Sequence, residues 1–295
     1  MNKPDLSYLF ESHYFENLHH LLENLRPINT RKFMFAVPSD SPPELIKNMA
    51  AASLAYFLGV KSVDNTLKRY GAFLEIDDVA PLSGQEKEIN YLFQMGRKEI
   101  ETAKGMIAGQ FANANSTGAI AASAALVRLE TSFRASGLLI RLGCIFEASS
   151  LCRMILEQIA WAYSVHELDG AKVFKLSPRA AIKSLRVLLP YAGKTYGFLS
   201  KYTHLEPELT TEYLVAKNQE FSVNLISFQD RLSWAWAYLY LVDSYSVVSE
   251  YIFRNSLSEF RQLDIDATGK FIASNKRPLY STLKKYRARL SKEQE

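Results

Sequence analysis

Ser116–Leu168, STGAIAASAALVRLETSFRASGLLIRLGCIFEASSLCRMILEQIAWAYSVHEL, decides the fold class of this chain. It contains no proline, and from Ala135 to Val165 its only charges are Arg141, Glu147, Arg153 and Glu157. A helix apolar on nearly every side is a buried one, packed round by other helices. At 100° per residue, Ile140, Cys144, Ala148, Leu151 and Ile155 form one stripe, and Leu138, Leu142, Ser149, Leu156 and Ala160 the opposite one. Read as one helix over residues 117–168, the segment needs partners on both sides. Arg153 and Glu157 lie together on the second side, at i and i+4. Buried charge is costly unless paired. The two either satisfy each other or form part of a site that draws polar groups from a second segment.

Upstream, Ser83-Gly84-Gln85-Glu86 has the form of a capping box and opens a helix ending near Ala112. With the central helix it makes an antiparallel hairpin. Downstream, Phe221–Arg254 has Leu225, Phe228, Leu232, Ala235, Leu239, Val242 and Val248 at helical spacing. It reads as a third long helix, its aromatics as core. The expected architecture is all-α, a multi-helix bundle built on helices at about 84–112 and 117–168 plus a third at 221–254.

Shorter elements surround this frame. Asp5–Leu25 reads as an amphipathic helix, Phe33–Val37 as strand or linker, and Ser41-Pro42-Pro43-Glu44 as a helix start running to about Leu58. Val63–Tyr70, Arg179–Leu189 and Tyr191–Lys201 read as short helices, with another after Pro207. The expected domains are a small helical region (1–82), a helical core (83–275) and a basic tail (276–295).

Composition is that of an ordinary globular protein, with 48% apolar and 22% charged residues in 295. Asp5 interrupts what would be the apolar part of a signal peptide. The apolar run Leu232–Val242 is too short to cross a bilayer. Cys144 and Cys152, about 12 Å apart along a continuous helix, could not form a disulfide. They read as reduced thiols, so the expectation is a cytoplasmic protein without membrane attachment. Neither the cysteines nor His13, His19 and His20 make a metal signature; no metal and no cofactor is expected. No phosphate-binding glycine loop or nucleophile elbow is present.

The net charge of +4 hides an asymmetry. Lys276–Lys292 carries seven basic residues and no acid; the rest of the chain has 28 basic against 31 acidic residues. Lys284, Lys285, Arg287 and Arg289, with Tyr280 and Tyr286, suit phosphate neutralisation with stacking, which makes RNA or DNA a candidate partner.

The second polar segment is Tyr196–Glu208, YGFLSKYTHLEPE, concentrating Ser200, Tyr202, Thr203 and His204 before a proline-started turn. Arginine-x3-glutamate on a long apolar helix, followed some tens of residues on by tyrosine-x2-leucine-serine-x-tyrosine-x-histidine, resembles a group of uncharacterised bacterial helical proteins of HEPN-like architecture. The matching residues are Arg153, Glu157, Tyr196, Leu199, Ser200, Tyr202 and His204, within Ser123–Tyr213. The resemblance implies a role in bacterial stress or antiviral defence, either as a non-catalytic module or as a metal-independent endoribonuclease. In the enzyme, Arg153 would stabilise a phosphate, His204 would move a proton and Glu157 would orient one of them, with Ser200 and Tyr202 binding. Catalytic members carry arginine and histidine four to six residues apart on one helix; here Arg153 and His204 could meet only through folding.

Without a local catalytic motif, the sequence favours a non-enzymatic helical protein acting through a protein partner or as a homo-oligomer. The ribonuclease and the nucleic-acid-binding tail stand as alternatives.

Overall fold

A computed structural model describes residues 25–29, 34–38, 41–71, 84–204, 206–217, 220–223, 227 and 231–285. The chain divides into two compact units, Met1–Lys87 and Glu88–Glu295.

In the first unit, β1 (Leu25–Asn29) and β2 (Met34–Pro38) pair antiparallel, Ile28 opposite Phe35. Phe33–Val37, strand or linker in the sequence, thus contributes a strand. Helices α1 (Pro43–Phe57) and α2 (Val63–Tyr70) follow. The N-cap of α1 is Pro42, without a side-chain hydrogen bond, so Ser41 is not its cap. Ser62 caps α2, accepting from the Asn65 N–H at 3.2 Å. Ile28, Val37 and Ile46 form a small core with Phe35 and Met49. The helix expected at Asp5–Leu25, and its histidines, lie outside the described residues.

The second unit is the multi-helix bundle. Its helices are α3 (Gly84–Gln110), α4 (Thr117–Leu142), α5 (Ile145–Val165), α6 (Pro178–Leu185), α7 (Ala192–Thr203), the single turn α8 (Thr210–Tyr213) and α9 (Arg231–Ile252). Two small antiparallel hairpins decorate it: β3 (Leu214–Lys217) with β4 (Glu220–Val223), and β5 (Leu263–Ile265) with β6 (Phe271–Ala273).

The single central helix expected over 117–168 is two helices. Gly143 adopts φ 78°, the left-handed conformation that glycine takes without a Cβ penalty, and its N–H and that of Cys144 close back on Ile140 and Leu139. α5 therefore runs back along α4. At the open end the Gly118 N–H donates to the Leu168 carbonyl at 2.9 Å, and Ser116 Oγ donates to the His166 carbonyl at 2.7 Å. A Cβ on Gly118 would stand 1.8 Å from the Val165 carbonyl oxygen, so the close approach requires glycine. The two apolar stripes belong to a hairpin, each helix with its own partners. Cys144 caps α5, Cys152 is buried within it, and both thiols are free. Burial pushes the Cys152 thiol up to about 12.

α3 and α4 are antiparallel as expected: Arg141 reaches Asn90 at 2.5 Å and Lys104 pairs with Glu130 at 2.7 Å. α9 fills the groove, with Tyr238 packed on Phe93 and Phe133. It is shorter than the expected helix 221–254, because Glu220–Val223 alternates into a strand paired with Leu214–Lys217. Leu225 and Phe228 lie outside the described residues.

α9 carries two buried carboxylates, and the chain after it hydrogen-bonds both. Asp243 takes a bidentate pair from Arg277, at 2.8 and 2.9 Å. Glu250 accepts the backbone N–H groups of Arg261, Gln262 and Leu263. Glu99 of α3 is held in turn by the Arg261 fork and by Gln262; burial raises its carboxyl above the usual range, against the pull of Arg261. The basic tail expected from residue 276 therefore begins inside the fold: Arg277, Leu279 and Leu283 are buried. Residues 280–285 are helical.

Candidate functional site

α6 and α7 both pack on α5, and this places the second polar segment against Arg153. On α5, Arg153 and Glu157 are one turn apart, and Nε donates to Glu157 Oε1 at 3.1 Å. On α7, Tyr196, Ser200 and His204 follow at four-residue spacing along the side nearest α5. Arg153 Nη2 donates to Tyr196 Oη at 3.0 Å, and Tyr196 Oη donates to Glu157 Oε1 at 3.1 Å. Arg153 Nη1 lies 2.8 Å from His204 Nε2. A guanidinium only donates, so His204 Nε2 is the acceptor and the ring proton sits on Nδ1. The Arg153 guanidinium also stacks on the Tyr196 ring at 5.2 Å.

Arg153 and Glu157 side chains retain 16% and 22% exposure, and His204 is exposed at the C-terminal end of α7. The cluster is thus half-buried and opens to solvent on the histidine side. The arginine spans all three partners, the carboxylate balances its charge, and an imidazole nitrogen stands within hydrogen-bond reach of the guanidinium fork. Such a set can hold an anion and accept a proton beside it.

The other expected site residues divide. Ser200 lies on the same face, its Oγ buried and without a hydrogen-bond partner among the described residues. Tyr202 turns away, into an aromatic cluster with Phe146, Phe198 and Trp234. Lys284 and Lys285 are exposed; Arg287 and Arg289 lie outside the described residues. Among the described residues no cluster of His, Cys, Asp or Glu could hold a metal ion, and no helix is long and apolar enough to cross a membrane.

A second arginine–histidine centre was not anticipated. His166, at the end of α5, is 8% exposed. Its Nδ1 donates to the Tyr163 carbonyl at 2.7 Å, and its Nε2 accepts from Arg254 Nη1 at 2.8 Å. Arg254 also binds Glu167 and stacks on Tyr251 at 4.2 Å. Burial, with the Arg254 charge, lowers the His166 imidazole below its usual range. The readable signal was weak: both residues sit at helix ends, where an exposed cap is the usual expectation.

No family model, no curated protein and no solved structure matches the chain.

Proposed function

We propose that the chain is a metal-independent endoribonuclease of HEPN-like type whose centre is Arg153, Glu157, Tyr196 and His204. The observation that carries this reading is the 2.8 Å contact between Arg153 Nη1 and His204 Nε2 at a solvent-open edge. It gives the arginine–histidine pair in space that no single helix supplies in sequence. In the reaction, Arg153 turns its fork to the phosphate and releases His204 Nε2. His204 takes the proton of the 2′-hydroxyl, the 2′ oxygen bonds to phosphorus, and the 5′ oxygen leaves with a proton from solvent. The products are a 2′,3′-cyclic phosphate and a 5′-hydroxyl. Glu157 and Tyr196 hold the arginine in place. A role in bacterial stress or antiviral defence follows from the same resemblance.

The test is cleavage of single-stranded RNA with chelator present, scored for cyclic-phosphate ends. Wild type is expected to cut, and His204→Ala to lose about 10²-fold or more. Cleavage that needs added metal, or that survives in His204→Ala, overturns the reading.

A second reading, association with a protein partner or a second copy without catalysis, is favoured by one observation. Tyr56, Phe57 and Leu58 at the end of α1 are 84%, 67% and 50% exposed in succession. Light scattering on Tyr56→Ser with Leu58→Ser tests it: an assembly present in wild type and lost in the variant supports it.

A further inference from the structure

We infer that the surface carried by residues 170–204 is a binding track for single-stranded RNA leading to the Arg153–His204 centre. The proposal rests on the ribonuclease reading of that centre and deepens it by placing the substrate. Four observations carry it.

First, this stretch holds seven basic residues and not one Asp or Glu. Lys172, Lys175, Lys183, Arg186 and Lys194 are exposed, and Lys201 half so. Second, none of these six makes an ion pair among the described residues. Elsewhere in the same unit several cations are paired, as in Arg97–Glu101, Lys104–Glu130, Arg261–Glu99 and Arg277–Asp243. An unneutralised stripe costs self-repulsion and attracts polyanions.

Third, exposed rings interleave with the lysines. Phe174 is 77% exposed between Lys172 and Lys175, and Tyr191 and Phe198 are 46% and 41% exposed beside Lys194. These rings are braced. Buried Val173 and the Trp161 Nε1 bond to the Leu176 carbonyl, 2.9 Å, anchor the turn bearing Phe174; Tyr202 and Trp234 pack the inner side of Phe198. Exposed aromatic faces stack on unpaired bases, not on a duplex, whose bases already stack on each other. Fourth, the track ends at the centre itself. α7 presents Lys194 and Lys201 on one stripe, and Gly197 and His204, also seven apart, on the next. A Cβ on Gly197 meets nothing within 4 Å, so this stripe is open where it starts, and His204 at its other end is exposed.

Binding can be read apart from cleavage. Full-length His204→Ala protein is titrated into a fluorescent oligouridine at about 50 and 200 mM salt, and anisotropy gives affinity and salt slope. Gly197→Glu adds a negative charge in open space, without removing a contact, and should weaken binding about ten-fold or more. Lys172→Glu with Lys175→Glu should do the same and flatten the salt slope; Phe174→Ala should weaken binding at either salt concentration. Lys284→Glu with Lys285→Glu should change it less than two-fold, as should melting curves for every variant show an intact fold. No oligouridine binding by the His204→Ala chain, tighter binding of duplex RNA, or an equal loss in the Lys284/Lys285 variant overturns the track. If strip variants lose RNA while wild type never cleaves it, the ribonuclease reading fails and the track stands. If wild type cleaves and the strip variants bind and cleave equally well, the track fails and the centre stands.

Discussion

The two arginine–histidine centres are built from the same parts and differ in what surrounds them. Each has an Arg Nη1 2.8 Å from a His Nε2, a glutamate on the same guanidinium and a tyrosine ring against it. At His166 the other ring nitrogen is spent on the Tyr163 carbonyl and the ring is sealed. At His204 the other nitrogen has no partner among the described residues, and the ring is open to water. A histidine fixed at both nitrogens is a tie between α5 and the end of α9. One fixed at a single nitrogen can exchange its partner for a substrate.

The largest expected contrast comes from deleting each ring. His204→Ala should lower RNA cleavage by about 10²- to 10⁴-fold while moving stability by less than about 0.5 kcal/mol. His166→Ala should leave cleavage per folded molecule near wild type. A variant pair that behaves alike in both assays breaks the distinction.

Arg254→Ala comes next. It strips the buried His166 acceptor of its donor and should cost about 1–3 kcal/mol, read as a lower denaturant midpoint at unchanged slope. Arg153→Ala, at a half-open site, should cost less. Equal losses would mean that the first centre is as structural as the second.

Acid separates them more finely. The folded imidazole of His166 is lowered, so the unfolded chain binds the proton more readily. The stability that neutral His166 contributes is full above its ordinary value of about 6.5 and is lost as pH falls through the lower folded value. Chemical denaturation of wild type should weaken across that window, and His166→Asn should remove that part of the slope. A slope unchanged in His166→Asn would assign the acid sensitivity elsewhere.

The smallest effect sharpens the roles within the open centre. Tyr196→Phe keeps the ring under Arg153 and removes the hydroxyl that links it to Glu157. A positioning role predicts roughly a ten-fold drop in kcat with KM little changed. A rise in KM alone would make Tyr196 a substrate contact.

The open centre was more legible in the sequence than the sealed one. Arg153 and Glu157 stood out because charge on an apolar helix must be accounted for, and Tyr196–His204 because polar groups were dense there. Nothing of the kind marks His166 or Arg254: each follows a long helix and takes its burial from a contact about ninety residues away in sequence. The bundle was readable from its apolar periodicity, yet the hairpin at Gly143 was hidden by continuity, since both helices around one glycine are equally apolar. Gly143, a residue type that favours C-terminal caps, is the one local sign of the break. The start of α9 was misplaced because Phe221 and Val223 fit helix and strand alike until Leu214–Lys217 pairs with them. The basic tail drew notice as a dense run, while the track at 170–204, as rich in cations as the tail but spread over two helices, was visible only as an absence of acids.

Asp243 and Glu250 sit on the helix at the centre of the bundle, but the groups that satisfy them are 11 to 34 residues later in the chain. During synthesis, α9 emerges from the ribosome with charge on the face it must bury. The bidentate Arg277 pair reaches Asp243 only after that arginine has followed the helix out. The last contacts of the bundle core are therefore supplied by the last part of the described chain, so α9 completes its polar contacts only after residues 261–277 have joined it.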